Sequence, residues 1–231
     1  MIIDKELGTI HFEQSLRAKR LSVRVLSDGI KVVLPQGVLT EDGMKFVESV
    51  RSKILTKQEE IQSKTIVISE ENLLQTLTFR VNVRKAKRSN IFSSLKNGEL
   101  TIDYPDFLDC KANQTQSYFW DSINYFLRQE AKRLLPYRTF ELAKKFDFSY
   151  SNVKIQSSKT RWGSCSYRKS INLSFYLMFL PQHLIDYVIL HELCHTREMN
   201  HSERFWREMD RVTDNKGKAL REELKNYSMP K

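Results

Sequence analysis

His191-Glu192-Leu193-Cys194-His195 stands near the end of this 231-residue sequence, and a third histidine, His201, follows six residues later. Two histidines four residues apart lie on one face of a helix, one turn apart, so both imidazoles can reach a single Zn²⁺. A glutamate directly after the first histidine can then act as general base toward a water that the metal activates. His201 supplies a third ligand and leaves the fourth position open, as in catalytic rather than structural zinc sites. The pattern predicts a catalytic site for one Zn²⁺ per chain.

The residues before this motif predict a buried helix. The run from Leu184 to Leu190 is almost wholly apolar, and Pro181 stands where a helix would begin. With five histidines and 28 acidic residues in the chain, chance alone gives a His-acid-x-x-His match in about 1% of such sequences. A metal site is therefore a better explanation of the motif than coincidence.

Composition predicts an ordinary globular protein, since 40% of the residues are hydrophobic and 29% are charged. The sequence has no apolar run of about 18 residues, so no transmembrane helix and no membrane partner are expected. Three cysteines are too few, and odd in number, for a disulfide framework. The first residues lack the layout of a signal peptide. Together these features predict a cytoplasmic protein.

The net charge of +10 favours anionic partners, among them nucleic acid. A solvated strand face is the commoner reason for a basic run, so nucleic acid is kept as an alternative partner. The densest basic run supplies Arg80, Arg84, Lys85, Lys87 and Arg88.

Residues 1–110 are expected to form a β-rich N-terminal lobe with one long helix. The evidence is alternation of apolar and polar residues around turn dipeptides, followed by apolar residues at helical spacing. The predicted elements are a hairpin around Asp28-Gly29, a helix over 41–63, strands near 65–68 and 77–84, and a hairpin pairing 91–95 with 99–103 across Asn97-Gly98.

Residues 111–231 are expected to form a second, α+β lobe that contains the histidine motif. The boundary is placed near 105–114, where the character of the sequence changes to helical. The predicted elements are a helix from about 114, a new helix from Pro136, strands at 153–155, 160–166 and 171–174, the motif helix, and a helical stretch from 202 to about 227 with a turn at 213–217.

The sequence resembles the YgjP-like zinc metallopeptidase family in three segments that stand in the family's order: Arg161-Trp162-Gly163-Ser164-Cys165, Ile171-Asn172-Leu173, and the histidine motif with its downstream Asn200-His201-Ser202 and Phe205-Trp206. The histidine block is also similar to that of SprT and WLM metalloproteases, which are linked to proteolysis of proteins attached to DNA. The family resemblance implies zinc on His191, His195 and His201, with Glu192 catalytic. It also implies a zincin-like C-terminal catalytic lobe whose motif helix packs on a small antiparallel sheet.

Four residues of the first resembling segment are candidates for substrate binding: Arg161, Trp162, Gly163 and Ser164. In many zinc proteases a strand edge beside the metal pairs with the extended substrate. Arg161 could then steady the charge that develops on the carbonyl oxygen. A structural role, with Trp162 packed on the motif helix and Arg161 in an ion pair, explains the segment equally well.

Three classes of function follow from these observations. Zinc-dependent peptide hydrolysis is the leading hypothesis, because Glu192 directly follows the first histidine. A zinc hydrolase acting on nucleic acid would suit the positive charge. A non-catalytic zinc module that binds nucleic acid or protein would need a fourth protein ligand, for which Glu198 and Glu203 are the candidates.

Overall fold

A computed structural model describes residues 2–26, 29–64 and 66–230 of the chain. The fold is α+β, with small sheets and six α-helices in the described ranges. The chain divides into two compact units, with the boundary between Thr65 and Ile66.

The first unit is a four-stranded mixed sheet accompanied by two helices. The central pair of strands is parallel and each outer pair is antiparallel, in the order β1-β2-β4-β3. The turn Asp28-Gly29 was expected to join β3 and β4; these strands do pair, and Asp28 itself lies outside the described residues. The elements are β1 (Ile2–Asp4), β2 (Gly8–Ser15), β3 (Ser22–Val25), β4 (Gly29–Pro35), α1 (Thr40–Ser49) and α2 (Arg51–Lys64).

The single helix expected over 41–63 is two helices, α1 and α2, because the backbone leaves the helical conformation at Val50 (φ −117°, ψ 12°). Arg51 begins α2, and its guanidinium pairs with Asp4 at 2.6 Å and with Glu48 at 2.7 Å. These ion pairs fix the start of the second helix beside the end of the first.

The second unit contains two further sheets, four α-helices and one short 3₁₀ helix. The sheet orders are β5-β6-β8-β7 and β10-β11-β9. Its elements are β5 (Leu74–Gln75), β6 (Arg80–Ala86), β7 (Phe92–Lys96), β8 (Glu99–Pro105), α3 (Asn113–Lys145), β9 (Asn152–Gln156), β10 (Gly163–Cys165), β11 (Ser170–Ser174), a 3₁₀ helix (Phe175–Phe179), α4 (Gln182–Cys194), α5 (Glu203–Val212) and α6 (Gly217–Leu224).

The sheet beside the motif helix α4 is mixed rather than antiparallel as expected. β10 pairs antiparallel with β11, whereas β11 pairs parallel with β9. The parallel pair is possible because β10 lies between β9 and β11 in the sequence and runs antiparallel to both. β10 therefore forms one edge of this three-stranded sheet.

The hairpin across Asn97-Gly98 is confirmed, because β7 and β8 pair antiparallel around these two residues. Asn97 has φ 49° and Gly98 has φ 75°. Both values lie in the left-handed region that a two-residue hairpin turn requires and that Asn and Gly tolerate best.

The helix break expected at Pro136 is wrong, since α3 runs without interruption through this residue. Proline removes one backbone hydrogen bond from a helix and usually kinks it. Here Leu135 and Thr139, on either side of the proline, are both buried, and the Thr139 hydroxyl donates to the Leu135 carbonyl at 2.8 Å. Packing of both halves against one core outweighs the lost bond.

The expected boundary between lobes at 110 falls inside the second unit. Tyr104 at the end of β8 and Phe119 on α3 meet edge to face, with ring centroids 5.3 Å apart. Both residues are buried in the same apolar cluster. The strands before residue 110 and the long helix after it thus share one core.

The strand expected near 65–68 does not form in the described part of that segment, residues 66–68. Instead, the Gln116 side chain on α3 forms hydrogen bonds with both the N–H and the C=O group of Ile68. Its Oε1 accepts from Ile68 N at 2.9 Å, and its Nε2 donates to Ile68 O at 2.8 Å and to Cys110 O at 2.5 Å. A side-chain amide thus satisfies backbone groups that a strand would have paired in a sheet.

The basic run after Arg80 is partly neutralised within its own sheet. Arg80 pairs with Glu99 at 3.0 Å, Arg84 pairs with Asp103, and Arg88 lies over the Phe92 ring. Such pairing favours a solvated strand face, and nothing in these contacts supports a nucleic-acid partner. Among the described residues, none of the helices is both long enough and apolar enough to span a membrane.

Replacing Gln116 with methionine tests whether this side chain anchors the backbone of Ile68 to α3. The change keeps the length of the side chain but leaves the amide and carbonyl of Ile68 without their partners. We expect the free energy of unfolding to fall by about 2 kcal/mol in urea denaturation. The control is Gln114→Met on the exposed side of the same helix, which should change stability by less than about 0.5 kcal/mol. Equal stabilities of the two variants would contradict the anchoring role.

Candidate metal centre

The motif helix α4 lies in the interior of the second unit. Nearly all of its apolar residues are buried, as expected for a helix that is hydrophobic on most faces. Pro181 occupies its N-cap position. The helix therefore carries His191 and Glu192 into a region with little access to water.

Three histidine side chains converge at the end of this helix, as the sequence predicts. The Nε2 atom of His191 lies 3.2 Å from that of His195 and 3.1 Å from that of His201. His201 comes from the connection to α5, which brings it back beside the helix. These three form the single group of potential metal-binding side chains found among the described residues.

The spacing of the three nitrogens fits a zinc ion. Zinc–nitrogen bonds of 2.0–2.1 Å in tetrahedral geometry require ligand nitrogens about 3.3 Å apart, close to the two separations given above. Burial, together with the charges of His195 and His201, lowers the pKa of His191 to about 3. Burial also lowers the pKa of His195. Neutral imidazoles leave their lone pairs free, which is the state that metal binding needs.

A hydrogen bond orients the His195 imidazole, and one aromatic ring packs against all three imidazoles. The Nδ1 of His195 lies 3.0 Å from the Glu198 carbonyl oxygen; donating to it leaves Nε2 as the unprotonated nitrogen. The fully buried Phe205 ring lies 4.6 to 4.9 Å, centroid to centroid, from all three imidazoles. Ser202 caps α5 by accepting from the Phe205 amide, so the start of α5 sets the position of that ring.

Glu192 is buried beside the histidines with only 5% of its surface exposed. Burial raises the pKa of its carboxyl to about 8, an effect that the charge of Arg161 partly opposes. Its Oε2 atom has no hydrogen-bond partner in the described structure. A buried polar atom without a partner is rare in folded proteins, and a catalytic role is one of its explanations.

Gly163 on β10 gives Glu192 the space it occupies. A Cβ atom at this position would lie 2.7 Å from Glu192 Oε1, which is closer than non-bonded atoms approach. Glycine thus allows the strand to pass directly over the carboxylate.

The four substrate-binding candidates stand at and before β10. Trp162 O accepts a hydrogen bond from Ser174 N at 2.9 Å, and Gly163 and Ser164 lie opposite Leu173 and Asn172. Trp162 also packs against the apolar core, as its structural role would require. Arg161 has no ion pair among the described residues, so the ion pair of the structural interpretation is absent.

A cleft of about 300 Å³ opens beside the histidines. Four of its lining residues were not predicted from the sequence. Tyr187 and Val188 precede His191 by one helical turn, a signal that could have revealed them. Arg221 and Leu224 come from α6, and only the tertiary fold brings them here. The lining residues are Arg161, Trp162, Gly163, Tyr187, Val188, His191, Glu192, His201, Arg221 and Leu224.

The fourth protein ligand that a structural zinc site would require is not found in the described chain. The carboxylates of Glu198 and Glu203 are not members of the histidine group. Glu198 contributes its backbone carbonyl to His195 instead, and the Glu203 side chain is exposed at the start of α5.

Comparison with known proteins agrees with the site's geometry. Residues 19–227 match the model of the YgjP-like family, described as a metallopeptidase domain. The chain belongs to this metallopeptidase family.

Two solved structures are similar to part of this chain, and each alignment covers 40% of it. The metallopeptidase zymogen abylysin of Pyrococcus abyssi is 20% identical, with 93% of its chain covered and a TM-score of 0.37. The metallopeptidase zymogen jannalysin of Methanocaldococcus jannaschii is 23% identical, with 94% covered and a TM-score of 0.36. Among curated protein sequences, no significant match is found.

The contact between Gly163 and Glu192 can be measured by a double-mutant cycle. Gly163→Ala forces its Cβ against the carboxylate, so we expect the free energy of unfolding to fall by about 2 kcal/mol. In a Glu192→Ala background the obstructing atoms are gone, and the same change should cost much less. Equal costs in both backgrounds, measured by chemical denaturation, would show that the two residues do not press on each other.

Proposed function

We propose that this protein is a zinc-dependent peptidase that hydrolyses peptide bonds with Glu192 as general base. The observation that carries the proposal is the buried Glu192 carboxylate, with an unpartnered oxygen, beside three convergent imidazole nitrogens. We assign His191, His195 and His201 as the ligands of one zinc ion. Membership in a metallopeptidase family supports protein or peptide substrates.

The histidines and the glutamate would divide the chemistry between them. A zinc ion bound by three imidazoles supplies a Lewis acid that acidifies water and polarises a carbonyl group. Glu192 takes the proton of the attacking water on its carboxylate. The protonated carboxyl then donates that proton to the nitrogen of the leaving amine, so one side chain serves as base and then as acid. Its burial keeps bulk water from competing for this proton.

The edge of β10 would hold the substrate. Backbone groups of Trp162 and Ser166 bond toward β11, and residues of a strand alternate in direction. The N–H and C=O groups of Gly163 and Cys165 therefore point away from β11, toward the open side of the sheet. An extended peptide can pair with these groups, which places its backbone beside Glu192. We assign Arg161, Trp162, Gly163 and Ser164 to this substrate-binding segment.

The Glu192→Gln variant tests the general base. The amide is the same size but cannot accept the proton, so we expect kcat for cleavage of an unfolded protein such as casein to fall by about 10²- to 10⁴-fold. Zinc content, measured by mass spectrometry, should remain one ion per chain. Glu203→Gln, at an exposed carboxylate two residues from His201, is the matched control and should keep both zinc and activity.

A wild-type protein that contains no zinc, or a Glu192→Gln variant that cleaves casein at the full rate, would overturn the assignment of Glu192 as general base at a zinc site. The His201→Ala variant adds a check on the ligands, since two remaining imidazoles should no longer retain the metal through dialysis. A chain that holds zinc equally well without His201 would have its metal elsewhere.

A proline at position 165 tests the strand edge. Cys165→Pro removes an outward-facing N–H group, and proline is tolerated on the open side of edge strands. We expect kcat/KM for peptide substrates to fall about tenfold, with zinc content unchanged. Cys165→Ala keeps the N–H and should behave like the wild type. Circular dichroism must show that the proline variant is folded; a folded variant with unchanged kcat/KM would rule out pairing at this residue.

A further inference from the structure

Two arginines line the cleft beside the histidines without a carboxylate partner. Arg161 stands just before β10, and Arg221 lies on α6. Neither forms an ion pair with any described residue. Glu192 is the single acidic residue in the lining, and it is buried beneath β10. The mouth of the cleft is therefore positively charged.

The carboxylates nearest to Arg221 along the chain are engaged elsewhere. Glu222 binds Lys225 at 2.7 Å, and Glu223 lies 2.7 Å from the imidazole of His183. On the neighbouring helix, Asp186 precedes the cleft residue Tyr187 but pairs with Arg138 at 2.8 Å. Glu222, Glu223 and Asp186 thus each form their close ion pair with a residue other than Arg221.

The position of Arg221 is set by an aromatic ring. Its guanidinium carbon lies 5.5 Å from the centre of the Trp206 ring, within the range of a cation–π contact. Trp206 in turn meets Phe205 edge to face at 5.6 Å, and Phe205 contacts the three imidazoles. The guanidinium is therefore held at a defined place relative to the proposed metal site. A guanidinium in a fixed position is better suited to bind a ligand than one on a freely solvated side chain.

We propose that Arg221, together with Arg161, binds a carboxylate group of the substrate next to the bond that is cleaved. This inference rests on the proposed peptidase function and names the class of peptide that the site prefers. The planar guanidinium pairs with a carboxylate through two parallel hydrogen bonds. Val188 and Leu224 add apolar wall to the same cleft, which suits the methylene stem of an acidic side chain.

Two sources could supply this carboxylate: an acidic side chain within the peptide, or the free C-terminus of the peptide. Three peptides of otherwise identical sequence separate them. The first has Glu at the tested position and an amidated C-terminus, the second has Gln there and an amidated C-terminus, and the third has Gln with a free C-terminus. Each is made with the tested residue on either side of the expected cleavage point.

Binding is measured first, by fluorescence anisotropy with the full-length Glu192→Gln chain, so that no cleavage interferes. We expect a peptide with the preferred carboxylate to bind about tenfold more tightly than the amidated Gln peptide. The kcat/KM values of the wild-type protein should follow the same order.

Charge reversal then assigns the preference to the cleft. Arg221→Glu should abolish the tighter binding of the carboxylate peptide and favour a Lys peptide instead. Lys218→Glu is the matched control: it makes the same change in charge on the same exposed helix, at a residue that does not line the cleft, and should keep the wild-type preference. Arg161→Glu should weaken the preference in the same direction as Arg221→Glu.

The outcomes separate this inference from the proposed function. Equal binding of all three peptides, or equal effects of Arg221→Glu and Lys218→Glu, would overturn the carboxylate site, even if casein is cleaved. Tight, Arg221-dependent binding of carboxylate peptides without any cleavage would instead keep the site and reject the peptidase.

Discussion

The burial of α4 is the constraint on which the candidate site depends. A helix enclosed on most sides carries two imidazoles and a carboxylate into the interior, where the charged form of each is disfavoured. Burial accordingly lowers the pKa of His191 to about 3 and raises the pKa of Glu192 to about 8. Neutral imidazoles are the form that binds metal, and a carboxyl with a raised pKa can both take and return a proton near neutral pH. The same packing that stabilises the unit thus prepares its polar residues for chemistry.

The candidate site also requires β10 to lie close to α4, and Gly163 allows this close approach. Any larger residue at position 163 would place a Cβ against the Glu192 carboxylate. The strand therefore lies close enough to cover the carboxylate while its outer edge stays unpaired by other strands of its sheet. Packing is compatible with the proposed substrate binding because an edge strand buries one face and leaves one row of backbone groups open.

Local patterns predicted the parts of the structure that local physics controls. The Asn97-Gly98 turn follows from conformational freedom at two residues, and the convergence of the His191 and His195 imidazoles follows from helix geometry. The errors occur where tertiary contacts prevail over local preference. Packing of α3 overrides the usual effect of Pro136, the Gln116 side chain replaces a sheet partner for Ile68, and one shared core removes the boundary expected at 110. Arg221 could not have been placed in the cleft, because no periodicity links α6 to a motif 26 residues earlier.

The two aromatic residues at the start of α5 connect the proposed chemistry with the proposed recognition. Phe205 touches the three imidazoles on one side, and Trp206 positions the Arg221 guanidinium on the other. Adjacent residues on a helix point in different directions, so a single turn can support both groups without a direct contact between them. If α5 shifted, the contact of Phe205 with the His201 imidazole and the contact of Trp206 with the Arg221 guanidinium would both change. The start of α5 thus connects the proposed recognition of a carboxylate with the third proposed metal ligand.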